Sequence, residues 1–188
     1  MRWLLVVCLG VFGYLAFTII RPPPAGEPAV ATAAAVSSSA SVEDRRQAAY
    51  DLHRALKWPQ AITAYDVLLR EGGEEAQIRF WRGMAQWKSA HFDEALRDFQ
   101  RVIELDPANL EAHRNADRLL ARQKRWDEIL AMWDRYIARE PRDAEAYFER
   151  GGTYFNKGEM AAALADAEKA CKLGKVQACT MVERLKNR

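Results

Sequence analysis

Few residues of this chain have the type and spacing that chemistry requires. The three histidines, His53, His91 and His113, are scattered and lack the short spacing of zinc ligands. Most serines precede residue 42, away from any histidine, and the carboxylates alternate with Arg and Lys at helical spacing, as on solvated faces. We therefore expect no catalytic residues, no metal and no cofactor, and we predict that the chain is not an enzyme.

One group of charged residues has the spacing of a binding surface. Arg114, Arg118 and Arg122 recur every four residues, so on a helix they lie on one face. The guanidinium of arginine recognises carboxylates with two parallel hydrogen bonds. The pattern favours an acidic partner, although a solvated face whose arginines pair with neighbouring carboxylates would have the same spacing. The net charge of +2 gives no reason to expect nucleic acid.

The elements that carry these residues repeat along the chain. Ala61, Ala95, Ile129 and Ala163 are separated by intervals of 34 residues. The same interval holds in two further series, Trp58, Phe92, Trp126, Met160 and Tyr65, Phe99, Trp133, Ala167. A fixed period kept in several columns predicts stacked helix pairs, each of which buries its apolar face against its neighbours.

We place four repeats at 42–75, 76–109, 110–143 and 144–177, followed by a capping helix over 178–188. In the second repeat we expect helices at about 75–89 and 93–104, and Pro107 and Pro141 end the second helices of two repeats because proline cannot continue a helix. The large residues in the recurring columns are predicted to form the core: Trp58, Tyr65, Leu68, Phe92, Phe99, Trp126, Trp133, Tyr136.

One column holds small residues where neighbouring helices can approach closely. Ala49, Gly83 and Gly151 occupy it in the first, second and fourth repeats. Asp117 stands there in the third repeat, which predicts either more widely spaced helices or a carboxylate turned to Arg114 or Arg118.

The N-terminal part of the chain differs in composition. Residues 3–20 carry no charge, and as a helix this run would span about 27 Å, close to the thickness of a bilayer core. The candidate cleavage site at Ala29-Val30-Ala31 lies too far along for an ordinary secretory signal. We predict an uncleaved transmembrane signal-anchor over 1–21 and a Pro/Ala/Ser linker over 22–41. The flanking charges favour a cytoplasmic N-terminus with the repeats outside.

The repeats resemble those of the tetratricopeptide repeat family. The residues that match its signature are Gly83, Phe92, Ala95, Phe99 and Pro107 in the second repeat and Tyr147, Gly151, Tyr154, Ala163 and Ala167 in the fourth. The resemblance covers 42–177 and implies an all-α, right-handed superhelical solenoid of four helix pairs. In this family the first helix of each pair lines a concave groove.

The resemblance also implies which residues bind a partner. A peptide or helix of a partner protein would contact Arg46, Tyr50, Phe80, Met84, Trp87, Arg114, Arg118, Arg122, Phe148 and Phe155. The alternative is that the aromatic residues among them pack between neighbouring repeats. The Lys and Asn pattern of members that clamp chaperone tails is absent, so that ligand is not expected.

The end of the fourth repeat is similar to the cysteine-bearing ends of Sel1-like repeats. That resemblance implies a disulfide between Cys171 and Cys179 that joins neighbouring helices, which would indicate an oxidising compartment. The alternative is two small buried apolar side chains.

Together these features predict a single-pass inner-membrane protein whose repeats face the periplasm. Its expected role is that of a protein–protein interaction scaffold or assembly factor at the bacterial cell envelope. Two alternatives stay open: a membrane-anchored receptor that faces the cytosol, and an envelope module that binds an anionic glycan or lipid.

Overall fold

The structure is a computed structural model that describes residues 41–72 and 75–187, and all regular structure in that part is helical. Nine helices follow one another there: α1 Val42–Arg54, α2 Trp58–Gly72, α3 Ala76–Lys88, α4 Phe92–Leu105, α5 Leu110–Arg122, α6 Trp126–Arg139, α7 Ala144–Lys157, α8 Met160–Lys172 and α9 Val176–Lys186. The first eight form four pairs, and α9 packs on the last pair.

The predicted membrane anchor and nearly all of the predicted linker lie outside the described residues. Within the described ranges, no helix has the length and apolar character needed to cross a bilayer.

Side-chain caps fix the start of three first helices. Ser41 and Asp44 form a capping box on α1, in which each side chain accepts a hydrogen bond from the other residue's backbone N–H. Asn109 accepts from the backbone of Ala112 at 3.0 Å and so begins α5. Asp143 begins α7 by accepting from the backbone of Glu145 at 2.8 Å.

Each pair is closed by a left-handed residue at the same place in its turn. These residues are Leu56, Ala90, Lys124 and Gly158, with φ of 59°, 63°, 56° and 92°. Only the fourth is glycine, and a side chain in this conformation costs on the order of 1 kcal/mol. Since three of the four turns accept that cost, the packing of the two helices imposes the turn.

The core runs along the inside of the helix stack. Five of the eight predicted core residues are buried, namely Tyr65, Leu68, Phe99, Trp133 and Tyr136. The other three, Trp58, Phe92 and Trp126, are half-buried and pack against the core clusters. In the fourth pair the core is made of alanine, with Ala163, Ala167 and Ala170 fully buried. The two helices of this pair, α7 and α8, can therefore approach closely.

Asp117 forms no ion pair with Arg114 or Arg118, which was one of the two arrangements that the sequence allowed. Its carboxylate accepts a hydrogen bond from the indole Nε1 of Trp133 at 2.6 Å, because the two residues face each other across α5 and α6. Burial raises the pKa of Asp117 to about 6, while the bond from Trp133 and the charge of Arg118 act in the opposite direction. The third pair therefore holds a carboxylate at low solvation where its neighbours hold glycine.

An arginine joins three consecutive helices between the first and second pairs. Arg82 on α3 donates two hydrogen bonds to Asp98 on α4, at 2.7 and 2.6 Å, and one to Asp66 on α2 at 2.7 Å. The Asp98 side chain is only 4% exposed, so the guanidinium neutralises a buried carboxylate. We call this arrangement an arginine staple.

A second arginine staple lies two repeats further on. Arg150 on α7 donates to both oxygens of Asp166 on α8 at 2.7 Å and to Asp134 on α6 at 2.6 Å. Between the second and third pairs the equivalent residues are Gln100, Ala116 and Met132, which cannot form a staple. The stack therefore alternates between stapled and unstapled junctions.

Candidate functional site

The first helices of the pairs, together with α9, form the surface on which the sequence predicts a groove. We call this surface the groove face. It contains two cavities, one at each end of the helix stack, and four of the ten predicted site residues line them.

The N-terminal cavity has a volume of about 290 Å³ and is lined by α1, α2 and α3. Arg46 and Tyr50 line it from α1, and the Tyr50 ring meets the edge of Trp81 with centroids 5.5 Å apart. Arg46 is already ion-paired with Glu75, and it also lies 3.7 Å from Glu43. The cavity is therefore predominantly polar, and its two carboxylates outnumber its one arginine.

The aromatic residues predicted for the middle of the groove pack into the core instead. Phe80 and Trp87 each meet the Phe99 ring edge-on, with centroids 5.7 and 6.2 Å apart. Met84 packs against the same cluster, and its sulfur accepts a long 3.6 Å contact from Asn115. These three residues mainly hold the second and third pairs together.

The three arginines of α5 have three different environments. Arg114 lies among Glu111, Glu145 and Glu149, with its closest contact at 3.0 Å to Glu149. Arg122 lies over the Phe92 ring at 4.1 Å. Arg118 is exposed and donates to the uncharged side chain of Asn115 at 3.2 Å. The stripe is therefore not a uniform carboxylate-binding surface.

The C-terminal cavity is larger and more apolar. It has a volume of about 540 Å³ and lies between α7 and α9. The apolar residues that line it are Phe148, Phe155, Met181 and Leu185. Arg184, Asn156, Gln177 and Thr180 supply polar groups, and Arg184 has no ion pair among the described residues. Two of the predicted site residues, Phe148 and Phe155, thus meet in one cavity.

A disulfide positions the α9 wall of this cavity. Cys171 on α8 and Cys179 on α9 are joined, with Cα atoms 4.8 Å apart, and Gly174 takes a left-handed φ of 99° in the turn between them. Ala178 is the one residue of α9 that is fully buried. The covalent link therefore adds to the packing of α9 against α8.

The histidines serve packing. His113 is buried among Trp133 and Tyr136, its Nδ1 donates to the carbonyl of Asn109 at 3.0 Å, and burial lowers its pKa. His53 packs edge-on against Trp58 and Trp81, and burial lowers its pKa as well. In the described ranges, no group of three His, Cys, Asp or Glu residues is arranged to hold a metal.

Sequence reasoning missed two features of the site. The residues of α9 were assigned to a cap, although Met181, Arg184 and Leu185 form a wall of the larger cavity. The staples were also missed, although Arg82 and Arg150 stand at equivalent places two periods apart, each with Asp residues 16 positions before and after. A search for a doubled period would have found them.

Comparison with known proteins identifies the helix pairs. Two family models described as tetratricopeptide repeat match residues 76–109 and 118–178. The helix pairs of this chain are tetratricopeptide repeats. The mouse (Mus musculus) protein named WD and tetratricopeptide repeats protein 1 is 29% identical over 109 residues. That match covers 56% of this chain but only 16% of the mouse protein.

Solved structures share this tetratricopeptide fold. MamA from Desulfovibrio magneticus RS-1 aligns with a TM-score of 0.65 and 18% identity over 78% of this chain and 84% of its own. YrrB, described as a TPR protein with an unusual peptide-binding site, aligns at 0.64 and 22% over 78% and 76%. The first TPR of Spaghetti (RPAP3), bound to the HSP90 peptide SRMEEVD, aligns at 0.52 and 20% over 60% and 90%. At these identities the likeness establishes the fold.

Proposed function

We propose that this protein binds a segment of a partner protein on the groove face and works as a scaffold or assembly factor without catalysis. The C-terminal cavity carries the proposal. Its 540 Å³ lies within the range of roughly 300–1,000 Å³ typical of ligand sites, and it combines an apolar lining with a few polar groups. An apolar side chain of the partner would enter between α7 and α9, and Arg184 and Asn156 would orient the adjoining backbone or a carboxylate.

We further propose that the repeats are anchored at a bacterial inner membrane and face the periplasm. The uncharged run at 3–20 supports the anchor. The Cys171–Cys179 disulfide supports an oxidising compartment. Anchoring a preformed binding surface raises its effective concentration for neighbouring envelope proteins without adding contacts.

Filling the cavity tests the binding role. A Cβ added at Gly152 meets nothing within 4 Å, so Gly152→Phe places a ring in the cavity without disturbing α7. Ala161 is exposed on α8, and Ala161→Phe is the matched control. In quantitative affinity purification of the full chain, we expect recovery of the main partner to fall roughly tenfold with Gly152→Phe and to be unchanged with Ala161→Phe.

Equal recovery of that partner with both variants would contradict groove binding. Salt-dependent binding to anionic glycans or vesicles that Gly152→Phe leaves unchanged would favour the envelope-binding alternative. Topology is tested separately by a reporter fused after Arg188, and a reporter active only in the cytoplasm would contradict the periplasmic orientation.

A further inference from the structure

The outer face of the stack, formed by the second helices, has a cleft at the unstapled junction. At the stapled junctions, the guanidiniums of Arg82 and Arg150 fill the space between consecutive second helices. At the junction between α4 and α6, the residue equivalent to those arginines is Ala116 on α5. Its methyl group is too short to reach the space between the two second helices. A cleft of about 610 Å³ remains there, lined in part by Gln100 and Met132.

The lining of this cleft separates apolar from charged groups. Its accessible apolar surface comes mainly from half-buried Ile103 and exposed Ala131, above the buried side chains of Leu120 and Met132. Along one side, Arg135 and Arg139 stand one helical turn apart on α6, both exposed.

The carboxylates around the cleft are already neutralised, and the arginines are not. Glu104 accepts from Arg101 at 2.6 Å, and Glu128 accepts from Arg125 at 2.6 and 2.7 Å. Arg135 and Arg139 have no ion pair within the part of the chain that the structure describes. The charge left at the cleft is therefore positive.

We propose that this outer cleft binds an acidic amphipathic helix of a partner protein. Leucine-like side chains of that helix would pack on Ile103 and Ala131. Two carboxylates one turn apart would pair with Arg135 and Arg139, since arginine and carboxylate form bidentate contacts. The site is separate from the groove face and needs no groove ligand.

Two labelled peptides provide the probe. One carries leucine at alternating third and fourth positions with glutamate on both flanks, and the other has the same composition with the leucines scrambled. We expect fluorescence anisotropy with the full chain in detergent to show binding of the first peptide only, weakened by added salt. Gly152→Phe, which fills the groove cavity, should leave this binding unchanged.

Charge reversal locates the binding site. The double variant Arg135→Glu, Arg139→Glu should weaken binding of the patterned peptide roughly tenfold or more. Arg54→Glu combined with Lys57→Glu makes the same change in net charge at exposed residues around the end of α1, and it should weaken peptide binding less than threefold. Equal weakening by the two pairs, or no preference for the patterned peptide, would overturn the proposal.

A transplanted staple offers a second test. The triple variant Gln100→Asp, Ala116→Arg, Met132→Asp builds the missing staple into the cleft. Its two new aspartates and one new arginine change the net charge by −1. With helicity and melting temperature retained, it should abolish peptide binding. Undiminished binding by this folded variant would also overturn the proposal, and a variant that does not fold leaves the decision to the charge-reversal pair.

Discussion

The stapled junctions and the unstapled junction solve the same packing problem with different chemistry. At a stapled junction, an arginine forms ion pairs with a nearly buried aspartate on one neighbouring helix and with a more exposed aspartate on another. At the unstapled junction, Ala116 and Met132 are buried among apolar residues, and no charge is enclosed. The stapled junctions gain directional contacts, whereas the unstapled junction keeps an open outer cleft.

The small-residue column shows the same alternation. Gly83 and Gly151 lie against Asp98 and Asp166, so that an added Cβ would meet the Cβ of each aspartate at 3.2 Å. The third pair places Asp117 in that column and bonds it to Trp133. A glycine on the same helix thus accompanies each staple arginine, whereas the third pair has a carboxylate bonded to an indole in that column.

Removing a staple arginine should have the largest effect. Arg82→Ala removes two charge-assisted hydrogen bonds from the nearly buried carboxylate of Asp98 and leaves it with Arg79 at 3.5 Å, which costs about 3 kcal/mol in the free energy of unfolding. Urea unfolding of the wild type and the variant measures this loss. Arg97→Ala, at an exposed residue 3.6 Å from Glu94, is the control and should cost less than about 0.5 kcal/mol. Losses of similar size would remove the distinction between the two kinds of contact.

Adding a methyl group at the close approach should have the next largest effect. In Gly83→Ala the new Cβ would lie 3.1 Å from the Phe99 ring, and we expect a loss of about 1–3 kcal/mol. Gly152→Ala meets nothing within 4 Å and should gain about 0.5–1 kcal/mol from helix propensity. Thermal unfolding of both variants checks the pair, and a stabilised Gly83→Ala variant would show that the helices are not in close contact there.

Neutralising Asp117 should stabilise the third pair. The pKa of Asp117 is about 6 in the folded state against an ordinary value of 3.8, so the folded state binds the proton more tightly. The Asp117 contribution to stability therefore falls as pH rises from about 4 to 6, and its cost is fully present above that range. Asp117→Asn keeps an acceptor for Trp133 and should gain about 1–2 kcal/mol at pH 7.

The difference between Asp117→Asn and the wild type should shrink toward pH 4.5 in denaturant unfolding. A difference that does not vary with pH would show that the carboxylate is well solvated. Glu183→Gln, at an exposed carboxylate of α9, serves as the control for removing a charge.

The smallest effect is expected where the staple is missing. Gln100→Ala should change the free energy of unfolding by less than about 0.5 kcal/mol, because the Gln100 side chain forms no ion pair or buried hydrogen bond in the part of the chain that the structure describes. Its counterpart Asp134→Ala removes one hydrogen bond from Arg150 and should cost about 1 kcal/mol. Matched urea titrations separate the two, and a larger loss at Gln100 would reverse the comparison.

The sequence predicts the regular features of this fold well and the individual partnerships poorly. The period of 34 and the stops at Pro107 and Pro141 place the helices, since α4 and α6 end two residues before each proline. Periodicity cannot reveal that Asp117 faces Trp133, because that contact depends on how the two helices are rotated about their axes.

The groove shows the same limit. Phe80 and Phe148 occupy equivalent places two repeats apart, yet Phe80 packs on Phe99 and Phe148 lines a cavity. The reason is local: Ala167 stands where Phe99 does, so Phe148 does not meet the ring that Phe80 packs against. Equivalent residues acquire different roles through the size of their neighbours.

A double-mutant cycle at the second staple tests the alternation most directly. Unfolding of Arg150→Ala, Asp166→Ala and the double variant should give a coupling free energy of about 1–3 kcal/mol, because the residues share two hydrogen bonds. The corresponding cycle with Gln100→Ala and Met132→Ala should give a coupling within about 0.5 kcal/mol of zero. Equal coupling in the two cycles would contradict the division of this solenoid into stapled and unstapled junctions.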